Sequence, residues 1–289
     1  MTATLMRKSP HVGCEGVLMP DKTRPVSMEV ALSATCAVLY AMGSYMTGYI
    51  RSPWGSGQFR PAVVIPAALS TLFGPMVGGV GAAIGTFIVD SAINGQIHVR
   101  SLVSAVPGNF LGFYLFGWLM KKRFSWENFI KTSQVTLLAS NAMVAFLYVY
   151  FRAFVEASYP VAFRDAWIYI SIGLVAWWYV TMLPFVLLLG PPLIRAVASA
   201  FPGLVSPEVR SSIRVGASKR SLWMAMSLPG FLMLLIGVAL VFIDPSQILA
   251  LKLAPSSLIL TGMQVMFIGS GIILLVLGMI VFAIRQKTS

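Results

Sequence analysis

The chain has 289 residues, 57 % of them hydrophobic and 10 % charged, with a mean hydropathy of +0.83 and a formal net charge of +12. This composition excludes a soluble globular domain and points to an all-α polytopic membrane protein, because lipid cannot satisfy exposed backbone and a helix satisfies its own. The positive charge does not imply nucleic acid as a partner, since basic residues collect on the cytoplasmic face of such proteins, against the anionic headgroups of the lipid bilayer.

Residues 1–27 lack the short apolar core and cleavage site of a secretory signal and read as a basic cytoplasmic tail. A first span follows over 28–50. The two cysteines, Cys14 in the tail and Cys36 in this span, make neither a disulfide framework nor a metal spacing. Next comes an apolar run from Arg60 to Asp90 with no charged residue between them. As one straight helix it would be about 45 Å long, beyond the ~30 Å hydrocarbon core, yet it is short for two full spans. Phe73-Gly74-Pro75 supplies a break, so the run is expected to fold into a hairpin that returns Arg60 and Asp90 to one side of the membrane. Gly74, Gly78 and Ala82, and again Gly81 and Gly85, repeat every four residues and should place the second arm centrally in the bundle.

Further spans are expected over 101–120, 133–150 and 166–189, then a basic Pro/Gly-containing linker over 196–220, then spans over 222–243 and 258–284. The resulting organisation is a six-helix bundle over 28–195 and a two-helix extension over 221–289. Pro66, Pro107 and Pro184 fall inside spans and each frees a carbonyl there. With eight crossings and both termini inside, the 21 basic residues divide 15 inside to 6 outside, whereas seven crossings would scatter the clusters over both faces.

Catalysis is poorly supplied, and no cofactor or metal is implied. The only histidines are His11 and His98, there is no Gly-x-x-x-x-Gly-Lys-Ser/Thr phosphate loop, and Glu29 and Asp90 are the only acids near spans before Glu156. What remains is a polar ring on the outer side. Its loops carry Arg51, Trp54, Gln58, Phe59 and Arg60, then Asp90, Asn94, Gln96, His98 and Arg100, then Arg152, Glu156, Tyr159, Arg164 and Asp165. Such residues either meet headgroups or close over a small polar or anionic solute. Asn109 and Asn141 lie inside spans and serve as interhelical glue or as ligand contacts.

The Phe59-Arg60-Pro61 entry, the Ile65-Pro66 step, Leu72-Phe73-Gly74-Pro75, the Gly78-Gly79 to Gly85 arm ending in Asp90, and Pro107-Gly108-Asn109 with Gly112 resemble the substrate-binding S components of energy-coupling factor transporters, archaeal-type members above all. The resemblance covers 28–195. It implies a six-helix fold with a cytoplasmic N-terminus, a site for a vitamin-sized or metal-sized solute near the outer surface, and a lid in the loop after the first helix. It also implies a transmembrane scaffold subunit and separate ATPase subunits as partners, with the scaffold docking on an Ala-x-x-x-Ala pattern that Ala37 and Ala41 fit. The two extra helices depart from the family.

These readings combine into substrate capture in the cell membrane for uptake of a small solute, with Trp54, Arg60, Asp90, Asn94, His98, Asn109 and Asn141 as the candidate contacts. The other reading is an accessory subunit that stabilises a larger membrane complex and binds no solute.

Overall fold

The computed structural model describes residues 25–122, 124–213, 218–250, 254 and 256–283. The tail up to residue 24 and the last residues of the extension, 284–289, lie outside them, as do Arg123, Arg214 and Lys252. The described chain is helical, with one isolated antiparallel bridge between Arg51 and Gln58.

Helix α1 runs Val26–Thr47, and a 3-10 turn at Pro61–Val63 leads into α2, Val64–Phe73. Gly74 then takes φ 99° and ψ 175°, a left-handed conformation that favours glycine, and Pro75 opens α3, Pro75–Asn94, at a position where no N–H is needed. The chain reverses there as expected: Ser70 of α2 lies directly against Gly78 of α3. A short α4, Val99–Val103, is separated by Ser104 from α5, Ala105–Lys122. Helix α6 spans Trp126–Tyr150 and continues as a π turn, Phe151–Val155. The short α7, Val161–Asp165, precedes α8, Trp167–Ala200, and α9 is Pro207–Ile213. The extension comprises α10, Lys219–Phe242, the short α11, Pro245–Ala250, and α12, Ser257–Ala283.

Six described helices are long and apolar enough to cross a membrane: α1, α3, α6 with its π turn, α8, α10 and α12. The chain is therefore a multi-pass membrane protein. Pro61–Phe73 is apolar but too short to cross alone, at about 20 Å. Its arm nevertheless reaches deep, since the Gly74-Pro75 turn abuts Gly117, near the Lys122 end of α5. The span expected over 101–120 is broken at Ser104, and the one expected over 166–189 continues to Ala200. At about 51 Å, α8 is longer than the hydrocarbon core is thick.

Packing runs α1 on α3, α3 on α5, α5 on α6 and α6 on α8, with α2 enclosed among α1, α3, α5 and α8. The second arm is central as expected, lying between α1 and α5 as the most buried of the long spans, and the first arm is enclosed beside it. In α2 every residue but Ile65 is buried, and its small Ala67, Ala68 and Ser70 let four neighbours approach it. The glycine arm forms the seam with α1. A Cβ on Gly81 would come within 2.4 Å of Cys36 Cβ and 3.0 Å of the Ser33 carbonyl. Pro107 lies in the first turn of α5, where it costs no hydrogen bond, so it is no mid-span kink. Helices α10 and α12 pair chiefly with each other and lean on α6 and α8, where Gln134 Nε2 donates to the Ala225 carbonyl at 2.9 Å and Tyr179 Oη to Gln134 Oε1.

Association inside a bilayer rests on close packing more than on water exclusion, so the α1–α3 seam should tolerate bulk poorly. Gly81→Leu is expected to lower the unfolding midpoint in detergent by several degrees, from an overpacking cost of roughly 1–3 kcal/mol, while Gly269→Leu, at a site with nothing within 4 Å of an added Cβ, leaves it in place. Equal effects at both positions would contradict this seam.

Candidate functional site

The hairpin brings its two charged ends together. Arg60 Nη2 pairs with Asp90 Oδ1 although Arg60 is only 8 % exposed and Asp90 only 6 %, and the same nitrogen donates to Gln58 Oε1 at 3.1 Å. Ser101 Oγ of α4 donates to Asp90 Oδ2 at 2.5 Å, and Asn94 Nδ2 to the Asp90 carbonyl at 2.7 Å. A lone charge in such surroundings would be costly, and each partner offsets the burial of the other.

Beside this pair lies a cavity bounded by α1, the 51–60 loop, α3, α4, α5, α6 and α8. Its lining includes Arg60, Asp90, Asn94, His98, Asn109 and Asn141, six of the seven residues expected as contacts. About 60 Å³ of it is reachable by the centre of a water molecule, room for roughly four to six waters. Asn109 Nδ2 donates to Thr86 Oγ1 at 2.8 Å, so this amide does join two helices while facing the cavity. Asn141 is 4 % exposed and its Nδ2 has no partner. Beneath these two amides and Met182 a second, water-sized void continues inward past Thr136, Leu137 and Ser140.

Trp54, the seventh residue, does not line the cavity. It is 3 % exposed, and its ring packs against Gly173 of α8. It anchors a hairpin-shaped loop instead. Ser52 N–H donates to the Gly57 carbonyl and Phe59 N–H to the Ile50 carbonyl, turning the chain so that Gly57 and Gln58 roof the cavity. Several groups hold this roof down. Trp178 Nε1 donates to the Gln58 carbonyl at 3.1 Å, Thr47 Oγ1 to the Phe59 carbonyl at 2.9 Å, and Arg152 Nη1 to Ser56 Oγ at 2.6 Å while its guanidinium lies 4.2 Å from the Tyr159 ring centre. The loop's tip, Pro53, touches Gly262 of α12. At the far wall Arg100 pairs with Glu156 and donates to Tyr148 Oη at 3.1 Å.

Sequence reasoning missed Tyr40, Tyr148, Val144, Trp178 and Met182 as lining residues. Tyr40 was detectable: Ser33, Cys36, Ala37, Tyr40, Ala41 and Ser44 recur at helical spacing and form the buried face of α1. That same face corrects the docking expectation. Ala37 is 2 % and Ala41 6 % exposed, turned inward, with the Ala37 backbone directly against Gly85 of α3, and neither is free to meet a partner. The exposed side of α1 carries Val30, Val38, Met42, Tyr45 and Met46 instead.

His98, at the start of α4, has its pKa lowered from the ordinary imidazole value, chiefly by burial and with Arg100 and Arg60 adding to that, while Asp90 and Glu156 pull the other way. No family model, curated protein or solved structure matches this chain.

Two outcomes follow from this geometry. Asp90→Asn and Arg60→Met, each leaving a buried charge alone, should destabilise by about 3–5 kcal/mol apiece, while the double variant recovers most of the loss. Additive losses in that double-mutant cycle would show the pair to be uncoupled. For His98 the folded pKa lies below the unfolded value near 6.5, so the unfolded chain takes up the proton first and stability falls as pH drops below about 6.5. The unfolding midpoint should therefore decline between pH 7.5 and 5.5, and His98→Gln should flatten that part of the curve. An unchanged slope would remove His98 as its source.

Proposed function

We propose that the chain is a non-catalytic substrate-capture subunit for uptake of a small solute of the micronutrient kind, such as a vitamin or nucleobase-like compound. It works in the manner of the S components whose motifs its first six spans resemble. In this reading the termini are cytoplasmic, the protein resides in the cell membrane, and the Arg51–His98 end of the bundle faces outward. Separate ATPase subunits supply the energy through a transmembrane scaffold.

The observation that carries the reading is the cavity itself: a polar, partly roofed chamber at one end of an otherwise apolar bundle, reached past the exposed Arg51 and Asn94. A subunit that only braced a larger complex would have no use for a chamber lined by two span asparagines, one of them with an unpaired buried amide. Burial of Ala37 and Ala41 means that a scaffold meets some other face, and the apolar outer side of α1 is large enough to offer one.

The roof also bears on size. A vitamin-sized solute exceeds the present chamber and needs the 51–60 loop to lift, whereas a solute of a few heavy atoms fits beneath it.

Thermal-shift screening of the purified full chain against vitamins, nucleobases and small organic anions is expected to give solute-specific stabilisation that is lost in Asn109→Ala. Saturating solute at one hundred times its Kd corresponds to about 2.7 kcal/mol of stabilisation. A cysteine at the exposed Gln96 should also react with an impermeant reagent from outside intact cells. Absence of stabilisation across the whole screen would favour the accessory-subunit reading.

A further inference from the structure

The donors and acceptors around the cavity are unequally committed, and that imbalance selects a ligand class. Asp90 is the one carboxylate in the lining, and both of its oxygens are taken, Oδ1 by Arg60 and Oδ2 by Ser101. A cationic solute therefore meets a carboxylate already engaged by Arg60 and Ser101. Two arginines, Arg51 and Arg60, are among the lining residues against that single carboxylate, so the residues of the lining carry a formal charge of +1. Burial keeps His98 from adding to this near neutrality. Asp90 balances Arg60, and Arg51, exposed at the mouth, has no carboxylate partner among the described residues.

Two further groups are uncommitted, and both are deeply buried. Tyr40 is 0 % exposed and its Oη, which lies beside the Arg60 guanidinium, has no acceptor for its own proton, and Asn141 Nδ2 is likewise without a partner. Unpaired donors in buried positions are costly, and two bordering one cavity mark a site whose acceptor comes from outside the protein. The same lining includes the apolar side chains of Ala105, Val144 and Met182 and the ring of Trp178.

We infer that the solute captured here is a small monocarboxylate with an apolar or aromatic body. Arg51 balances its charge, the Tyr40 hydroxyl and the Asn141 amide donate to its oxygens, and Val144, Met182 and Trp178 enclose its carbon frame. This assignment rests on the capture reading, which it narrows to one chemical class. The chamber's volume agrees, since room for roughly four to six waters suits a short-chain acid under the closed roof and a single-ring acid with slight outward movement of Gly57 and Gln58.

The test is calorimetric titration of the full chain in detergent at pH 7.5 and low chloride, with propionate and benzoate as probes and propionamide and benzamide as their uncharged counterparts. Saturable binding of at least one acid, at least tenfold tighter than its amide, is expected. Arg51→Gln should weaken it about ten- to hundredfold, as loss of one charge-assisted hydrogen bond requires, and Arg51→Lys should recover most of the affinity. Tyr40→Phe, a variant that keeps the ring in place, should weaken it without lowering the unfolding midpoint of the unliganded protein.

Amides binding as tightly as the acids, with Arg51→Gln inert, would overturn the anion assignment and leave solute capture standing. Failure of both acids while a neutral or cationic solute stabilises the protein would overturn it in the same way. Failure of every solute, charged or not, would remove the capture reading and this inference together.

Discussion

The buried Arg60–Asp90 pair is the constraint on which the cavity end of the molecule depends. Hydrophobic patterning makes α2 and α3 helical and Gly74-Pro75 turns one back on the other, but neither fixes where along the membrane normal the two arms end. The ion pair does. With one partner at the entry to the Pro61–Val63 turn and the other near the end of α3, any slip of one arm past the other would leave a buried charge without its partner. The pair also orients what surrounds it: Ser101 brings α4 onto Asp90, Gln58 brings the roof onto Arg60, and Trp178 then ties that roof to α8.

The hairpin and its closed end were legible because charge is scarce in this chain. With no charged residue between Arg60 and Asp90, the two could only lie at the ends of whatever the apolar run formed, and the glycine-proline break said where it reversed. Six of seven expected contacts reached the cavity for the same reason: a polar side chain beside a membrane span has few places to go. What the sequence concealed was rotation about helix axes. Ala37 and Ala41 read equally well as an outer face or an inner one, and only the partner helix decides. Here α3 offers Gly81 and Gly85 to that side and draws it inward. Trp54 misled for a related reason, because a loop tryptophan can roof a cavity or wedge behind it, and the space beside Gly173 takes the ring.

Relative depth was also hidden. The four-residue glycine spacing of α3 signals close approach but not to how many neighbours, whereas α2 has no such repeat and is enclosed on every side. Its Ala67, Ala68, Ser70 and Thr71 are small in all directions, which is a weaker pattern to the eye than a stripe and a more demanding one physically. The two-helix extension shows the opposite. It keeps long apolar faces turned outward and borrows only a few polar bonds from the bundle, Gln134 to Ala225 among them, so it is seated by the bundle without being part of its core.

The roof over the cavity is held in a way that permits both closure and release. Among the described residues no ion pair fastens it from outside the hairpin. Its contacts to the rest of the bundle are neutral or singly charged hydrogen bonds to backbone carbonyls and one hydroxyl, each worth on the order of 0.5–3 kcal/mol net, together with the packing of Trp54 and Pro53. The Arg60–Asp90 pair lies below these bonds and does not have to break when they do. Lifting Gly57 and Gln58 would therefore open the chamber while leaving its charged wall in register. Because Pro53 also rests on Gly262 of α12, the extension touches this loop as well as α6 and α8. The loop is thus anchored at its tip and bonded along its flank, and between those two attachments Gly55 and Gly57, both with positive φ, are where its backbone departs from ordinary conformations.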